Sequence, residues 1–194
     1  TALGEVKKLG GAVIDCDAVY HDLLESDNTL QNRLEQEFGD IRDDSGAVDR
    51  KKLGAIVFGD PEKLERLNAI AQRATVDRTR LLLEECRAKG MPLAAVDAIG
   101  LLESGLGELC CRTVAVLAPG EQRVQRIMQR DHIPEEYARL RIQAQKPDSY
   151  YREHCTDVLE NQEETPEAFR EKAEIFFRDL LRQLHHITEG GHEQ

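Results

Sequence analysis

Asp15 and Asp17 are the residues whose types and spacing most directly suggest chemistry. They stand at the end of the apolar run Ala12–Asp15, which we predict to be a strand. Alternate strand residues point to the same face, and in an α/β fold the carboxyl ends of parallel strands open into the ligand crevice. Two carboxylates there could accept a proton from a substrate hydroxyl or hold magnesium through water. The alternative, a polar strand end that carries two acids by chance, is commoner for an isolated pair.

An arginine cluster in the second half of the chain is the next candidate. It places five guanidinium groups within nineteen residues of an acidic protein, at Arg123, Arg126, Arg130, Arg139 and Arg141. Phosphoryl transfer uses such groups, because charge spreads over the phosphate oxygens and arginine can stabilise it. The alternative is a solvated helix face with charge pairs one turn apart. Its acidic partners would be Glu121, Asp131, Glu135 and Glu136.

Two further polar positions follow apolar runs. Glu103 and Ser104 come after the run Leu93–Ile99, where they form either a second wall of the crevice or an ordinary turn with a capping serine. Asn161 follows the run Thr156–Leu159. An asparagine at such a place can contact a base or a ribose, although more often it closes a turn.

The composition limits the classes of function. With 194 residues the chain is long enough for one domain with a sizeable core. Its formal net charge of −11 opposes non-specific binding to nucleic acid, which depends on Lys and Arg. No apolar run has the length of a membrane span, so we predict no membrane association. The five cysteines form no C-x-x-C pair and the six histidines are scattered, so we expect no metal site and a cytoplasmic location.

Four short aliphatic runs are predicted to be strands of a parallel sheet. They are Ala12–Asp15, Leu93–Ile99, Thr113–Ala118 and Thr156–Leu159. Runs of this kind, bounded by Gly, Pro or polar residues, are typical of strands that are buried on both faces. Long helical segments separate them, which indicates an α/β fold.

Two helix-rich segments interrupt this alternation. The first runs from Ala18 to Lys89, and its predicted features are a helix with Leu30, Leu34 and Phe38 on one face, short helices over Asp49–Phe58 and Leu64–Ile70, and a helix start at Asp60-Pro61. The second runs from Gly120 to Tyr151, with a helix over Glu121–Gln129 and another from Pro134 that carries Arg139, Arg141 and Gln145. A last helix covers Pro166–His186, with Phe169, Ala173, Phe176, Leu180 and Leu184 on one side, and we expect disorder from Gly190.

The first seventeen residues are predicted to form a short helix, a stop at Gly10-Gly11 and a strand. This is the second half of a βαβ unit, and we expect its first strand and turn to precede Thr1. In a nucleotide-binding fold that turn is the phosphate-binding loop.

The order of these signals along nearly the whole chain resembles the dephospho-coenzyme A kinase family. Val13–Asp17 is similar to the family's V-I-D-A-D segment. Asp49–Ile70 is similar to its R-x-x-L-x-x-x-V-F-x-D-x-x-x-L-x-x-L-N-x-I block. Four further segments match: Asp97–Ser104 resembles D-x-P-L-L-F-E-S, Glu121–Asp131 resembles E-x-Q-x-x-R-x-x-x-R-D, Arg141–Gln145 resembles R-I-x-x-Q and Asp157–Asn161 resembles D-x-V-I-x-N.

The resemblance implies a P-loop kinase, in which a parallel sheet flanked by helices carries a helical substrate-binding insert and a lid. One kinase domain would have a core of residues 1–17, 90–119 and 152–186, an insert of residues 18–89 and a lid of residues 120–151. Such an enzyme transfers the γ-phosphoryl group of ATP to the ribose 3′-hydroxyl of dephospho-CoA, the last step of coenzyme A synthesis. Closure of the insert would exclude water and prevent wasteful hydrolysis of ATP.

The resemblance also implies roles for individual residues. Asp17 would orient the hydroxyl and accept its proton, and Arg141 would stabilise charge on the transferring phosphoryl group. Asp15 would line the substrate pocket or help to hold magnesium, and Glu103 would lie on the substrate side. The lid and the ATP site would use Arg130, Gln145 and Asn161.

Two departures from the family pattern matter. Gln72-Arg73 stand where the family has His-Pro, which alters the local substrate contact, although Gln can hydrogen-bond and Arg can meet a phosphate. No G-x-x-x-x-G-K-[ST] loop occurs in the chain, and its family position would end just before Thr1. Without this loop we expect the chain alone to bind ATP and Mg²⁺ poorly, to be catalytically impaired and to leave two inner strand edges unpaired. The alternatives are a non-catalytic module that binds CoA-like ligands or a partner, and another small-molecule P-loop kinase.

Overall fold

The computed structural model describes residues 1–163 and 165–190, with side chains described as far as residue 184. These residues form two compact units, one of Ala12–Leu109 and one of Thr1–Gly11 with Cys110–Gln194. In chain order the elements are α1 Ala2–Lys8, β1 Ala12–Asp15, α2 Cys16–Ser26, α3 Asn28–Phe38, α4 Arg50–Val57, α5 Pro61–Ala88, β2 Ala94–Asp97, a 3₁₀ turn Leu106–Leu109, β3 Val114–Leu117, α6 Gly120–Asp131, α7 Glu135–Gln143, α8 Asp148–His154, β4 Asp157–Glu160 and α9 Pro166–Gly190. The disorder expected of the tail concerns residues 191–194, which lie outside the described residues; Gly190 ends α9.

The four predicted strands are present, each within two residues of its predicted bounds. Within the described residues they pair two by two, β1 with β2 in the first unit and β3 with β4 in the second, and both pairs are parallel. The expectation that both faces are buried is wrong for β3. Ala115 and Leu117 are buried on one face, whereas Val116 points outward and is 49% exposed, because successive strand residues alternate between the two faces.

In the Ala12–Leu109 unit, strands β1 and β2 bring two aspartates to the same edge. Their register pairs Ala12 with Ala94 and Asp15 with Asp97, so both strands end in a carboxylate at the carboxyl end of the pair. Helix α5 packs against both strands and against the three helices α2, α3 and α4. Helix α5 is therefore the central element of this unit, since the strand pair and the other three helices all pack against it.

Aspartates begin the four main helices of this unit. In each case the carboxylate accepts hydrogen bonds from two backbone N–H groups of the first turn, which would otherwise lack partners. The capping residues are Asp15 for α2, Asp27 for α3, Asp49 for α4 and Asp60 for α5. The predicted helix start at Asp60-Pro61 and the predicted helix after Asp49 are confirmed.

Helix α5 is a single helix of 28 residues. The expectation of a separate short helix over Leu64–Ile70 is therefore wrong. After Pro61 the helix contains neither Gly nor Pro, and Arg73 occupies the position at which the family pattern has a helix-breaking proline. Replacing that proline restores a backbone N–H and removes a ring clash, so the helix continues.

In the second unit, side chains fix the start of the strand pair. Thr113 N–H donates to Thr156 Oγ1 at 2.8 Å, and Thr156 N–H donates to Thr113 Oγ1 at 3.0 Å. Arg112 donates two hydrogen bonds to the carboxylate of Asp157, from Nε at 2.8 Å and from Nη2 at 2.5 Å. These bonds set the register of β3 and β4 before the strand ladder begins.

Helix α9 packs against α1 along an apolar stripe. Its buried residues include Phe169, Ala173, Phe177 and Leu180. The sequence predicted Phe176 in this stripe, but Phe176 is only half-buried. It lies edge-on to Phe177, with ring centroids 5.3 Å apart.

Helices α6 and α7 are consecutive in the predicted lid segment and pack against each other as a helical hairpin. Helix α6 ends at Asp131 because His132 adopts the left-handed conformation, with φ of 53°. Pro134 lies just before α7 as its N-cap rather than at its first position. Helix α7 ends at Gln143, so Gln145 lies beyond it and not on the helix as predicted.

Candidate active site

Asp15 is the N-cap of helix α2. Its Oδ1 accepts hydrogen bonds from the backbone N–H groups of Asp17 and Ala18, each at 3.0 Å. Asp17 is therefore in the first turn of a helix, and the expectation that Asp15 and Asp17 alternate along a strand is wrong. The reason is local: β1 ends at Asp15, whose extended backbone and short carboxylate suit the capping position.

Asp17 presents a carboxylate that is not engaged by the protein. Its side chain is exposed, and it makes no hydrogen bond or ion pair with any described residue. A negative charge in the first turn of a helix is stabilised by the positive end of the helix dipole. The β1–α2 corner therefore holds an available acceptor at the carboxyl end of the strand pair.

Asp97 adds a third carboxylate at this edge. It is the register partner of Asp15 at the end of β2. Partial burial raises the pKa of Asp97, and the neighbouring carboxylates of Asp15 and Asp17 raise it further. Asp97 is a candidate site residue that sequence reasoning missed, although the rule that strand ends line the crevice applies to β2 as much as to β1.

Cys16 connects the β1–α2 corner to helix α5. It is buried, and its Sγ lies 3.7 Å from Thr79 Oγ1 on α5. Burial raises the pKa of the Cys16 thiol, and the nearby carboxylates of Asp15, Asp97 and Asp17 add to this, while the Thr79 contact opposes it. The thiol therefore stays protonated at neutral pH and packs as a small apolar side chain.

Glu103 and Ser104 form the turn that follows β2. Ser104 Oγ accepts a hydrogen bond from Leu106 N–H at 3.3 Å, so the capping interpretation of this serine is confirmed. Gln72 Nε2 on α5 donates to the backbone carbonyl of Glu103 at 3.5 Å. The glutamine that replaces the family's histidine thus contacts the turn that carries Glu103.

Arg130 and Arg141 share one carboxylate in the α6–α7 hairpin. Arg130 donates from Nε to Asp131 Oδ1 at 2.7 Å and from Nη2 to Asp131 Oδ2 at 3.0 Å. Arg141 Nη1 donates to the same Oδ2. Two arginines that are eleven positions apart in sequence are thereby brought together on one face of the hairpin.

Two other members of the arginine cluster are used for structure. Arg139 donates to both oxygens of Glu121, at 3.0 and 2.9 Å, and to Glu135 at 2.8 Å. Arg123 lies 3.2 Å from Asp148. For Arg139 the alternative of a charge-paired helix surface is confirmed, since both partners are acids that it named. Arg123 is also charge-paired, but with an acid outside that set.

Arg126 and Asn161 line a cavity of about 590 Å³ in the second unit. Arg126 Nη2 donates to Asn161 Oδ1 at 3.3 Å and to the carbonyl of Glu163 at 3.5 Å. Asn161 N–H donates to the Leu117 carbonyl at 2.6 Å, which fixes the loop after β4 against the end of β3. The other lining residues are Thr1, Gln122, Gln125, Gln129, Glu163, Thr165, Pro166 and Phe169.

Comparison with known proteins identifies the family. A sequence model described as dephospho-CoA kinase matches residues 1–167. The chain belongs to the dephospho-CoA kinase family. The dephospho-CoA kinase of Dehalococcoides mccartyi is 33% identical over 157 residues, which are 80% of this chain and 79% of the relative. That of Thermobifida fusca is 32% identical over 177 residues, which are 91% of this chain and 87% of the relative.

Solved structures have the same P-loop kinase fold. The crystal structure of TT1252 from Thermus thermophilus matches with a TM-score of 0.69 and 30% identity, covering 94% of this chain and 89% of that one. Dephospho-CoA kinase from Campylobacter jejuni matches with a TM-score of 0.70 and 20% identity, covering 94% and 90%. Dephospho-CoA kinases are ATP-dependent phosphotransferases that act in the last step of coenzyme A biosynthesis.

Within the dephospho-CoA kinase pattern, the expected site residues fall in both units. Asp15, Asp17 and Glu103 lie in the Ala12–Leu109 unit, at the carboxyl ends of β1 and β2 or in the turn that follows. The other unit holds Arg130, Arg141, Gln145 and Asn161. Gln145 is exposed just beyond α7, whereas Arg130 and Arg141 meet at Asp131.

Arg126 is an arginine of the cluster for which the sequence predicted no separate role. Within the described residues it forms no ion pair, in contrast to the other four arginines of the cluster. The signal was available in the sequence, because Arg126 is the first arginine of the E-x-Q-x-x-R family motif. The sequence did not predict the cavity that Arg126 lines.

A second cavity, of about 230 Å³, lies in the Ala12–Leu109 unit among α2, α3 and α5. Its apolar lining includes Leu23, Leu30 and Ile70, which are buried. Arg33 and Arg73 stand at its rim, and neither forms an ion pair with a described residue. Arg73, the residue that replaces the family's proline, thus adds a positive charge to the edge of an apolar pocket.

The described residues contain neither a cluster of metal-binding side chains nor a helix suited to a membrane. No group of three or more His, Cys, Asp or Glu side chains there is arranged to hold a metal ion. In the same part of the chain, no helix combines the length and apolar character needed to cross a membrane.

Proposed function

We propose that this chain phosphorylates the ribose 3′-hydroxyl of dephospho-CoA with ATP, and that Asp17 orients the hydroxyl and accepts its proton. The proposal depends on one observation above all: Asp17 is exposed at the β1–α2 corner and has no partner among the described residues, whereas Asp15 beside it is occupied as a cap. In the reaction the 3′-oxygen bonds to the γ-phosphorus, the bond to the leaving ADP oxygen breaks, and the hydroxyl proton passes to Asp17.

On the donor side, Arg141 stabilises the charge of the transferring phosphoryl group and Arg130 assists it. Guanidinium groups suit this task because they offer several N–H donors in a plane to phosphate oxygens. The cavity of Arg126 and Asn161 takes the base and ribose of ATP, with Asn161 as a hydrogen-bonding amide. Gln145, exposed beyond α7, offers a second amide on the lid.

On the acceptor side, the helical segment 18–89 supplies the cavity among α2, α3 and α5 for the non-nucleotide arm of dephospho-CoA. The apolar lining suits the carbon chain, and Arg33 and Arg73 at the rim suit its diphosphate. Glu103 lines the substrate side of the turn after β2. In this division residues 1–17, 90–119 and 152–186 form the core, residues 120–151 form the lid, and closure of the insert of residues 18–89 excludes water.

Mg²⁺ is proposed to enter with ATP. It is usually held by one or two carboxylates together with substrate phosphates, and the carboxylates at the ends of β1 and β2 fit that donor set. When bound, the ion would neutralise charge on the ATP phosphates. Asp15 keeps one oxygen for this contact, since only its Oδ1 is used for capping.

The reaction is proposed to take place in the cytoplasm. Cys16, Cys86 and Cys111 are free thiols. Free thiols in this number are typical of a reducing compartment.

The test is the substitution Asp17→Asn in the protein at its full natural length. Loss of a general base typically costs 10²- to 10⁴-fold in rate, so we expect kcat to fall by roughly that factor while the Kd for ATP stays within about twofold. Product is measured as ADP together with phosphorylated dephospho-CoA. Asp22→Asn is the matched control, because Asp22 is exposed on the same helix and lines neither cavity.

The outcomes separate the alternatives. Full turnover by Asp17→Asn refutes the role of Asp17. Turnover of ATP with other alcohols but not with dephospho-CoA indicates another small-molecule kinase. Binding of CoA-like ligands by a folded protein without any turnover indicates a non-catalytic binding module.

A further inference from the structure

We propose that Asp131 is a positioning residue that holds Arg130 and Arg141 side by side for the transferring phosphoryl group. This inference rests on the proposed function, because it gives Asp131 a role only if the two arginines act on phosphate. The three side chains form one cluster: Arg130 grips both oxygens of Asp131, and Arg141 donates to Oδ2 of the same carboxylate.

The position of Asp131 is unfavourable for the helix on which it stands. It is the last residue of α6, where the negative end of the helix dipole disfavours a carboxylate. The two guanidinium groups offset this cost, and hydrogen bonds from Arg130, then from Arg141, lower the pKa of Asp131. The carboxylate is therefore charged at neutral pH, and its place at the end of α6 is explained by its partners rather than by helix stability.

The arginines differ from Asp131 in exposure. The side chain of Asp131 is 21% exposed, whereas those of Arg130 and Arg141 are 74% and 54% exposed. Each guanidinium has five N–H donors, and Asp131 uses two of Arg130 and one of Arg141. The remaining donors stay accessible to phosphate oxygens.

Two guanidinium groups repel each other unless a negative charge lies between them. Asp131 supplies that charge and reduces the number of side-chain conformations that the arginines must give up when phosphate arrives. A site that is already arranged for the developing charge lowers the barrier more than one that must reorganise during the reaction. The left-handed turn at His132 then leads into α7, which carries Arg141 to the same carboxylate.

The same hairpin contains a matched ion pair that should have no such role. Arg139 on α7 donates to both oxygens of Glu121 on α6, so this pair also ties the two helices together. Neither residue is assigned to phosphate. Removing the charge of Glu121 therefore reports what the loss of a hairpin ion pair does by itself.

The experiment compares Asp131→Asn with Glu121→Gln in the full-length protein. We expect kcat to fall about 10- to 100-fold for Asp131→Asn with the KM for dephospho-CoA nearly unchanged, since misplacement by about 1 Å can cost 10²-fold. Glu121→Gln is expected to keep kcat within about twofold. It should lower the thermal midpoint by about as much as Asp131→Asn does, because each variant removes one ion-pairing charge from the hairpin. Equal kcat values for the two variants, or an unchanged kcat for Asp131→Asn, overturn the inference.

A double-mutant cycle with Arg141→Met identifies the route of the effect. If Asp131 acts through the arginines, Asp131→Asn lowers kcat by a smaller factor in the Arg141→Met background than in the wild type. The same factor in both backgrounds overturns the inference. Wild-type activity of Arg141→Met alone instead refutes the proposed role of Arg141.

A second pair of variants covers the case in which Asp131→Asn does not fold. Asp131→Glu and Glu121→Asp each shift a carboxylate by one methylene within the hairpin and keep its charge. A clearly larger loss of kcat for Asp131→Glu is expected. Equal kcat values for these two variants overturn the inference.

Discussion

Substitution of Asp15 separates the two roles that a carboxylate at the end of β1 can have. The structure uses its Oδ1 to cap α2, and Asp17 is in the first turn that this cap fixes. Asn caps a helix about as well as Asp, whereas Ala does not cap. We therefore expect Asp15→Asn to keep the fold and to lower kcat much less than Asp17→Asn does, because the amide oxygen still caps the helix, and we expect Asp15→Ala to lose both stability and kcat.

The magnitude follows from the two hydrogen bonds at the β1–α2 corner. Asp15→Ala leaves the N–H groups of Asp17 and Ala18 without their acceptor, and loss of a cap of this kind costs about 1 kcal/mol, within a range of roughly 0.5–2. For a domain of this size that lowers the thermal midpoint by about 2–4 °C. The loss in kcat should be larger, about tenfold or more, because the backbone that positions Asp17 is no longer fixed.

The assay is thermal unfolding followed by circular dichroism, together with steady-state formation of ADP and phosphorylated product. Asp49→Ala calibrates the stability cost, since Asp49 caps α4 with the same pair of bonds, at 2.8 and 3.1 Å. A kcat for Asp15→Asn as low as that of Asp17→Asn would refute the reasoning. It would show that the charge of Asp15, and not its capping bonds, takes part in the reaction.

Four further substitutions test other parts of the structure. Arg126→Ala should raise the KM for ATP about tenfold and leave the KM for dephospho-CoA unchanged in initial-rate measurements, since the loss of one charge-assisted hydrogen-bonding group costs about 1.5 kcal/mol or more. Arg73→Ala should do the reverse, raising the KM for dephospho-CoA severalfold. Arg112→Ala should lower the thermal midpoint by a few degrees, because it removes both bonds to Asp157, and the difference from wild type should shrink as the pH falls below about 3.8 and Asp157 becomes protonated. Asp97→Asn should gain stability relative to wild type as the pH rises from 3.5 to 7, because the raised pKa of Asp97 means that ionisation of this group costs the folded state more than the unfolded chain.

The sequence predicted the strands well because their signal is local. Each strand is a short aliphatic run with polar ends, and all four are present near the predicted bounds. The starts of helices α4 and α5 were equally local, since Asp49 and Asp60-Pro61 are strong start signals. The pairing of the strands two by two depends on contacts between distant parts of the chain, which periodicity does not contain.

Asp17 shows that the alternation rule for strands fails when it is applied beyond the last residue of the strand. The alternation argument requires the strand to continue past Asp15, but the spacing of Val19 and Leu23 already indicates a helix that begins there. Aspartate at the first residue before such a spacing is an N-cap signal. The length of α5 was also missed: the predicted helix ended at Ile70, whereas the helix continues to Ala88.

The arginine cluster could not be resolved by sequence, because its members have different kinds of neighbour in the structure. Arg123 and Arg139 are charge-paired on the surface of their helices. Arg130 and Arg141 converge on Asp131, and Arg126 faces a cavity. Spacing along a helix limits which pairs can form, but the choice between an acid one turn away and one on the next helix requires the hairpin to be built.

The carboxylates of this chain differ in how many of their oxygens already accept hydrogen bonds. Asp15 uses one oxygen, Oδ1, for two backbone N–H groups. In Asp131 and Asp157, by contrast, both oxygens accept hydrogen bonds from guanidinium groups. A carboxylate with its lone pairs in use is a poor acceptor for a further proton, as the lowered pKa values of Asp131 and Asp157 show. Among the carboxylates that the sequence proposed for proton transfer, Asp17 keeps both oxygens available within the described residues. Composition and spacing cannot make that distinction, since it depends on which donors the fold brings to each acid.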